Sequence, residues 1–180
     1  MRPPDGEDGV PSEGVSVNIA TVADQPSVPI TYDVEMVTSI ATKDQPARLR
    51  VLITNPTETS VVIGEERAVQ FHHVASTEET LYLYPAGDGT DRGPVDPGCW
   101  QLTEYVAVPE YYGTVPIGAD ETIQADTYVY GHPERPAGTC LPEGDHRIRT
   151  NGVLGEDDAA FDDESELTGF KWAFTLRISQ

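Results

Sequence analysis

The last apolar segment of the chain constrains the fold most. Between residues 170 and 178, large apolar side chains occupy every second position, with Lys171, Ala173, Thr175 and Arg177 between them. A period of two places all the apolar side chains on one face of a β-strand, whereas a helix would scatter them around its axis. The segment therefore predicts a long strand with one buried face.

The same alternation recurs along the chain. It is clearest over 29–37 and 47–54. Shorter strands are predicted over 15–20, 60–63, 67–74, 80–84, 99–106, 121–130 and 146–150. Turn signals rich in Pro and Gly separate these segments, and no window shows convincing helical periodicity. The pattern predicts an all-β fold, a two-sheet immunoglobulin-like β-sandwich with antiparallel strands.

The chain length of 180 residues fits one domain with a short extension. Residues 1–14 are rich in Pro, Gly and acidic side chains and offer little to bury, which predicts a flexible tether. Residues 15–180 are predicted to form a single β-sandwich domain.

The charge of the chain is strongly acidic. It has 31 acidic and 11 basic residues, for a net charge of −20. At molar salt the Debye length falls to about 3 Å, so the resulting self-repulsion is screened. This composition is typical of an extremely halophilic protein, and an ordinary acidic protein is the alternative. The charge also disfavours nucleic acid and anionic membranes as partners.

Export is predicted from the cysteines rather than from a leader. No signal peptide follows Met1 and no apolar run is long enough to span a membrane, so we expect no membrane insertion by this segment. Cys99 and Cys140 lack metal-binding or redox spacing. A disulfide between them, worth about 4 kcal/mol, is predicted, with free thiols as the alternative. It would imply a secreted or surface-anchored protein whose leader is not part of this chain.

Two segments resemble cell-surface β-sandwich modules. Residues 47–54, followed by Asn55-Pro56-Thr57 and then 60–63, read as strand, corner and strand in the way of immunoglobulin-like modules. Residues 140–148 look like the start of a late strand in the same modules. The order resembles the acidic surface lipoproteins of haloarchaea and, less closely, the intracellular proteinase inhibitor family. The resemblance covers roughly residues 28–178 and implies a β-sandwich, not an activity.

Few side chains suggest a transition-metal site. His72 and His73 are adjacent in a predicted strand, so they point to opposite faces and cannot share a metal. Cys140 with His146 comes nearest to a copper site of the cupredoxin type, which needs a second His and often a Met close by. We interpret the histidines as surface and core-edge residues.

The densest acidic run spans 156–166. Carboxylates at this density suit Ca²⁺ or another hard cation, although the spacing is not that of an EF-hand. A solvated loop is the simpler interpretation. The alternative is a weak cation site formed by Asp157, Asp158, Asp162, Asp163 and Glu164. No other cofactor is predicted.

Catalytic motifs do not appear in the sequence. It has no Gly-x-Ser-x-Gly elbow, no Gly-x-Gly-x-x-Gly and no Walker-type loop. Among 31 acidic residues, a suitably spaced carboxylate pair carries no signal. The prediction is that the chain is not an enzyme.

Tyrosines occur in pairs on two predicted strands. Tyr82 with Tyr84, and Tyr128 with Tyr130, place both rings on one face of their strand. If the strands are neighbours and these faces point outward, the rings form an aromatic surface for a protein or glycan partner. The alternative is that the rings belong to the core.

Together these features predict a tethered binding or structural module outside a halophilic cell, with an unknown protein or glycan as partner. The alternative, which the resemblance to the proteinase inhibitor family alone implies, is an inhibitor that presents the loop 85–98, with Arg92 as its specificity residue.

Overall fold

The structure is a computed structural model that describes residues 14–87, 93–108 and 113–180. The predicted tether lies outside the described residues except for Gly14, and Arg92 lies outside them as well.

Strands dominate the described chain. They are β1 (Val15–Val22), β2 (Thr31–Thr38), β3 (Ile40–Ala41), β4 (Arg48–Thr54), β5 (Val61–Gly64), β6 (Val74–Ala75), β7 (Leu81–Pro85), β8 (Thr114–Ile117), β9 (Thr122–Gly131), β10 (Gly144–Gly155) and β11 (Thr168–Ser179). One helical turn, α1 (Glu66–Val69), follows β5, and two 3₁₀ helices, Asp158–Asp162 and Glu164–Glu166, lie between β10 and β11.

The strands form two antiparallel sheets. The first sheet has the order β3-β1-β11-β10-β5-β8, and the second has the order β2-β4-β9-β7-β6. Alternate residues of both sheets are buried between them: β4 buries Leu49, Val51 and Ile53, while Arg48 and Arg50 face away from the core. The prediction of an all-β, two-sheet sandwich is confirmed.

Aromatic rings hold the two sheets together at the centre of the core. Trp172 of β11 stacks on Tyr32 of β2, with ring centroids 4.7 Å apart. Phe71 and Phe174 pack against each other beside Trp172. The Tyr32 hydroxyl donates to the carbonyl oxygen of Val69 at 3.0 Å, and burial raises the pKa of this phenol well above its usual value. The strand with the clearest alternation thus supplies the centre of the core.

The corner after β4 depends on one buried amide. Asn55 is fully buried, and its Nδ2 donates to the carbonyl oxygens of Thr59, Ile117 and Gly118. Its Oδ1 accepts from the backbone N–H and the hydroxyl of Thr57. The Asn of the strand-corner-strand pattern therefore fixes the corner to the connection between β8 and β9.

The outer edge of β2 is occupied by side chains. The Gln25 amide donates to the carbonyl oxygen of Tyr32 and accepts from its N–H, at 2.8 and 2.7 Å. The N–H of Val34 on the same edge donates to Asp33 Oδ1 at 2.8 Å. An exposed strand edge offers hydrogen-bonding groups to other chains, and these side chains occupy several of them.

Two strand predictions are wrong. Residues 67–73 lie in α1 and in turns, because Phe71 and His73 have positive φ angles of 58°, which an extended strand does not allow, and only Val74 of the predicted segment belongs to a strand. Residues 99–106 make isolated bridges through Cys99 and Gln101 instead of a strand. The short strands β3 and β8 were not predicted. In the described parts of the chain, no helix has the length and apolarity to cross a bilayer.

Candidate functional site

Cys99 and Cys140 form a disulfide, as predicted. The bond joins the long connection between β7 and β8 to the loop that follows β9. We call residues 99–105 the cover segment, because they lie across the end of β9.

Backbone hydrogen bonds fix the cover segment to β9. Gly131 donates to the carbonyl oxygen of Trp100 at 2.7 Å, and Leu102 donates to that of Gly131 at 3.0 Å. A Cβ atom on Gly131 would lie 2.0 Å from the carbonyl oxygen of Cys140. Only glycine allows the two disulfide-linked segments to approach the strand this closely.

A buried glutamine organises the loop beneath the disulfide. Gln101 is 3 % exposed, and its amide donates to the carbonyl oxygens of His132, Arg135 and Pro136. Its Oε1 accepts from the N–H of Cys140 at 3.1 Å. One side chain therefore forms hydrogen bonds with backbone groups along the loop that carries Cys140.

The four tyrosines share a sheet face, but most of that face is covered. Tyr82 pairs with Tyr130 and Tyr84 with Tyr128, so β7 and β9 are neighbours. Tyr82, Tyr84 and Tyr130 are buried, and Tyr128 is half-buried. Burial of three of the four rings rules out the open aromatic surface, which was one of the two interpretations of these tyrosine pairs.

Several rings cover these tyrosines. Trp100 packs edge-on against Tyr130, and His132 packs against Tyr82. His73, which was predicted on a strand, instead lies in a turn 5.2 Å from the ring of Tyr84. Alternation predicts which side chains share a face, but it does not show that a distant segment folds over that face.

A cleft of about 430 Å³ lies beside the cover segment on this outer face. Its lining residues come from the second sheet, from the loop before β4 and from the connection after β7: Thr38, Asp44, Gln45, Pro46, Arg48, Gly93, Pro94, Trp100, Tyr128 and Tyr130. Trp100 Nε1 donates to the carbonyl oxygen of Thr42 at 2.6 Å, which links the cover to the loop after β3. The cleft falls in the size range of small-ligand sites and mixes aromatic with polar groups.

A charged cluster adjoins the cleft through Arg48, which lines it. Asp126 accepts from Arg48 and, through two hydrogen bonds of 2.7 and 3.0 Å, from Arg50. The hydrogen bond from Arg50, joined by that from Arg48, holds the pKa of Asp126 below its usual value, and Asp126 in turn raises the pKa of Arg50. Arg48 Nε is buried and has no hydrogen-bond partner among the described residues.

A chain of two hydroxyls and an imidazole joins the turn between β6 and β7 to β10 of the first sheet. Ser76 Oγ lies 2.9 Å from Thr80 Oγ1, which lies 2.6 Å from His146 Nδ1. His146 Nε2 lies 2.8 Å from the carbonyl oxygen of Pro142, which assigns a proton to Nε2. Ser76 and His146 are buried, and Ser76 Oγ also accepts from the N–H groups of Thr80 and Leu81. Sequence reasoning missed this chain because His146 lies 66 positions after Thr80 in the sequence.

The predicted cation loop forms the two 3₁₀ helices. Asp157 accepts from the N–H of Ala160, and Asp163 accepts from the N–H and hydroxyl of Ser165. Over residues 14–87, 93–108 and 113–180, no group of three or more His, Cys, Asp or Glu side chains is placed to hold a metal ion. Cation binding by this loop stays a prediction.

Comparison of the chain with protein-family models, with curated proteins and with solved structures finds no match.

Proposed function

We propose that this chain is a non-enzymatic binding module that works outside the cell and receives one protruding group of a protein or glycan partner in the cleft. The observation that carries the proposal is the cleft itself, where Tyr128 and Arg48 lie side by side on paired positions of β9 and β4. An amphipathic aromatic ring beside a guanidinium offers both an apolar contact and hydrogen-bond donors.

The cleft also offers acceptors. Asp44 and Gln45 are exposed on the opposite wall. The site therefore suits a group with hydroxyls or amides around a small apolar face.

Two further observations support the proposal. The disulfide is the kind of crosslink that persists in an oxidising compartment, which favours a place outside the cell. The chain of Ser76, Thr80 and His146 has its buried members committed to backbone groups, which favours a structural role over catalysis.

The test is a binding survey with two tyrosine variants. Arrays of oligosaccharides and extracellular proteins are screened with the full chain, and each binder is titrated against Tyr128→Ala and Tyr105→Ala. Tyr105 is the matched control because it is a tyrosine that is 61 % exposed and does not line the cleft. A hydrogen bond with Glu134 raises the pKa of its phenol to about 12. We expect Tyr128→Ala to weaken binding by about 30-fold, as for a central interface residue, and Tyr105→Ala to leave it unchanged. The proposal fails if no ligand binds, or if binding survives Tyr128→Ala.

The proteinase-inhibitor alternative depends on Arg92, which lies outside the described residues, so it stays a prediction.

A further inference from the structure

Three cations stand side by side on the outer face of the first sheet. Arg147 and Arg149 occupy alternate positions of β10, and Lys171 of β11 pairs with Asn151. All three are exposed. We call them the basic row. The strand spacing puts neighbours in the row about 7–8 Å apart and gives the row a length of about 14 Å.

The row faces away from the core. The positions between its members on β10, His146, Ile148 and Thr150, are buried. The cleft lies on the outer face of the second sheet, so the row and the cleft occupy opposite faces of the sandwich. The inference about the row is therefore independent of the proposed cleft.

The charge balance makes this row unexpected. Acidic residues outnumber basic ones 31 to 11, so an acidic neighbour is available almost everywhere on the surface. Arg48, Arg50 and Arg177 all have acidic partners. In the part of the chain that the structure describes, no ion pair involves a member of the basic row.

Adjacent like charges on a sheet repel each other and destabilise the isolated chain. An anion bound along the row would remove that repulsion. We propose that the basic row binds a linear anionic polysaccharide through its carboxylate or sulfate groups.

The surroundings of the row favour a polysaccharide over other polyanions. Single-stranded nucleic acid is held by aromatic stacking as well as charge. In the described chain, the large exposed apolar residues are Val22, Val37, Val95 and Tyr105, and none of them belongs to β10 or β11. Protein interfaces usually have an apolar centre, whereas the exposed residues beside the row on β10 are polar or charged: Asn151, and Asp145, whose carboxylate is paired with Arg177. A polar and cationic face fits a chain of anionic sugars, and Lys171 and Asn151 also line a depression of about 590 Å³ at one end of the row.

The arginines make the contact suitable for high salt. A guanidinium forms two parallel hydrogen bonds with a carboxylate or an oxyanion of similar geometry. Screening removes long-range attraction first and weakens direct contacts less. Binding through Arg147 and Arg149 is therefore expected to survive salt concentrations that abolish nonspecific attraction.

The experiment measures binding of the full chain to three polymers by isothermal titration calorimetry in 0.2 M and 1 M KCl. Polygalacturonate supplies carboxylates, dextran sulfate supplies sulfates, and dextran is the neutral control. We expect binding to at least one polyanion and none to dextran, and the two polyanions show which anionic group is preferred. Arg149→Gln/Lys171→Gln is expected to weaken binding about tenfold or more, because two charge-assisted contacts are lost.

A matched variant separates the row from overall charge. Lys43→Gln/Arg135→Gln removes the same two charges from exposed loop positions, and we expect its affinity to stay within about twofold of the wild type. Circular dichroism checks that both variants fold. The inference is overturned if neither polyanion binds, or if the loop variant weakens binding as much as the row variant. It is also overturned if polyglutamate or oligothymidylate binds as tightly through the same row.

Discussion

Asp126 and Gln101 show how single side chains join segments that are far apart in the sequence. Asp126 of β9 holds two arginines of β4, 76 and 78 positions away. Gln101 connects the cover segment to a loop more than 30 positions later. The alternation over 47–54 is enough to place Arg48 and Arg50 on one face of β4. It did not identify the partner, because 31 acidic residues leave too many choices.

The lowered pKa of Asp126 predicts a pH-dependent loss of stability. The folded pKa lies below the unfolded value near 4. The stabilisation is therefore fully present above that value and is lost as the pH falls through the folded pKa. We expect Asp126→Asn to lower the free energy of unfolding by about 2 kcal/mol at pH 7. The difference in the free energy of unfolding between Asp126→Asn and the wild type, measured by urea unfolding at constant KCl, should become smaller below pH 4.

The control for this prediction is Asp24→Asn, which removes the same charge from an exposed position. Its effect is expected to be small at every pH. A constant difference between Asp126→Asn and the wild type from pH 7 to pH 2.5 would contradict the assignment.

At the scale of elements, strands with long alternation were predicted and those without it were not. The apolar faces of β2, β4 and β11 can be predicted from the sequence, because burial in these strands follows an alternating pattern. The two-residue strands β3 and β6 are too short to show a period. The cover segment has no local signal either, since its path is set by Gly131 and by the disulfide. The tyrosine face was consequently identified as a face but not as a covered one.

Removal of the disulfide is expected to loosen the cover while leaving the sandwich folded. For the 41-residue separation, Cys99→Ser/Cys140→Ser should cost about 4 kcal/mol. The two tryptophans report on different elements, since Trp100 belongs to the cover and Trp172 to the core. In the variant, we expect acrylamide to quench the fluorescence of Trp100, while the fluorescence of Trp172 stays protected.

Intact-mass analysis completes this test. In the wild type, thiol alkylation should add no mass until a reductant is present. Equal protection of both tryptophans in the double variant would show that the hydrogen bonds of Gly131 and Gln101 hold the cover without the disulfide.

At the scale of the whole molecule, the net charge of −20 dominates. Repulsion among surface carboxylates opposes the compact state, and salt screens it. From 0.01 M to 1 M salt, the Debye length falls from about 30 Å to about 3 Å. We expect the free energy of unfolding in urea to rise steeply over this range. Unchanged stability between these concentrations would contradict the halophilic interpretation.

The amide of Gln25 on the edge of β2 bears on how closely many copies can crowd together. It stands where a strand of a neighbouring molecule would begin to pair, and it offers the same donor and acceptor that such a strand would offer. A second copy must displace it before adding to the sheet. Growth of the sheet from molecule to molecule is therefore hindered at this edge, even when salt has screened the charges that otherwise keep the molecules apart.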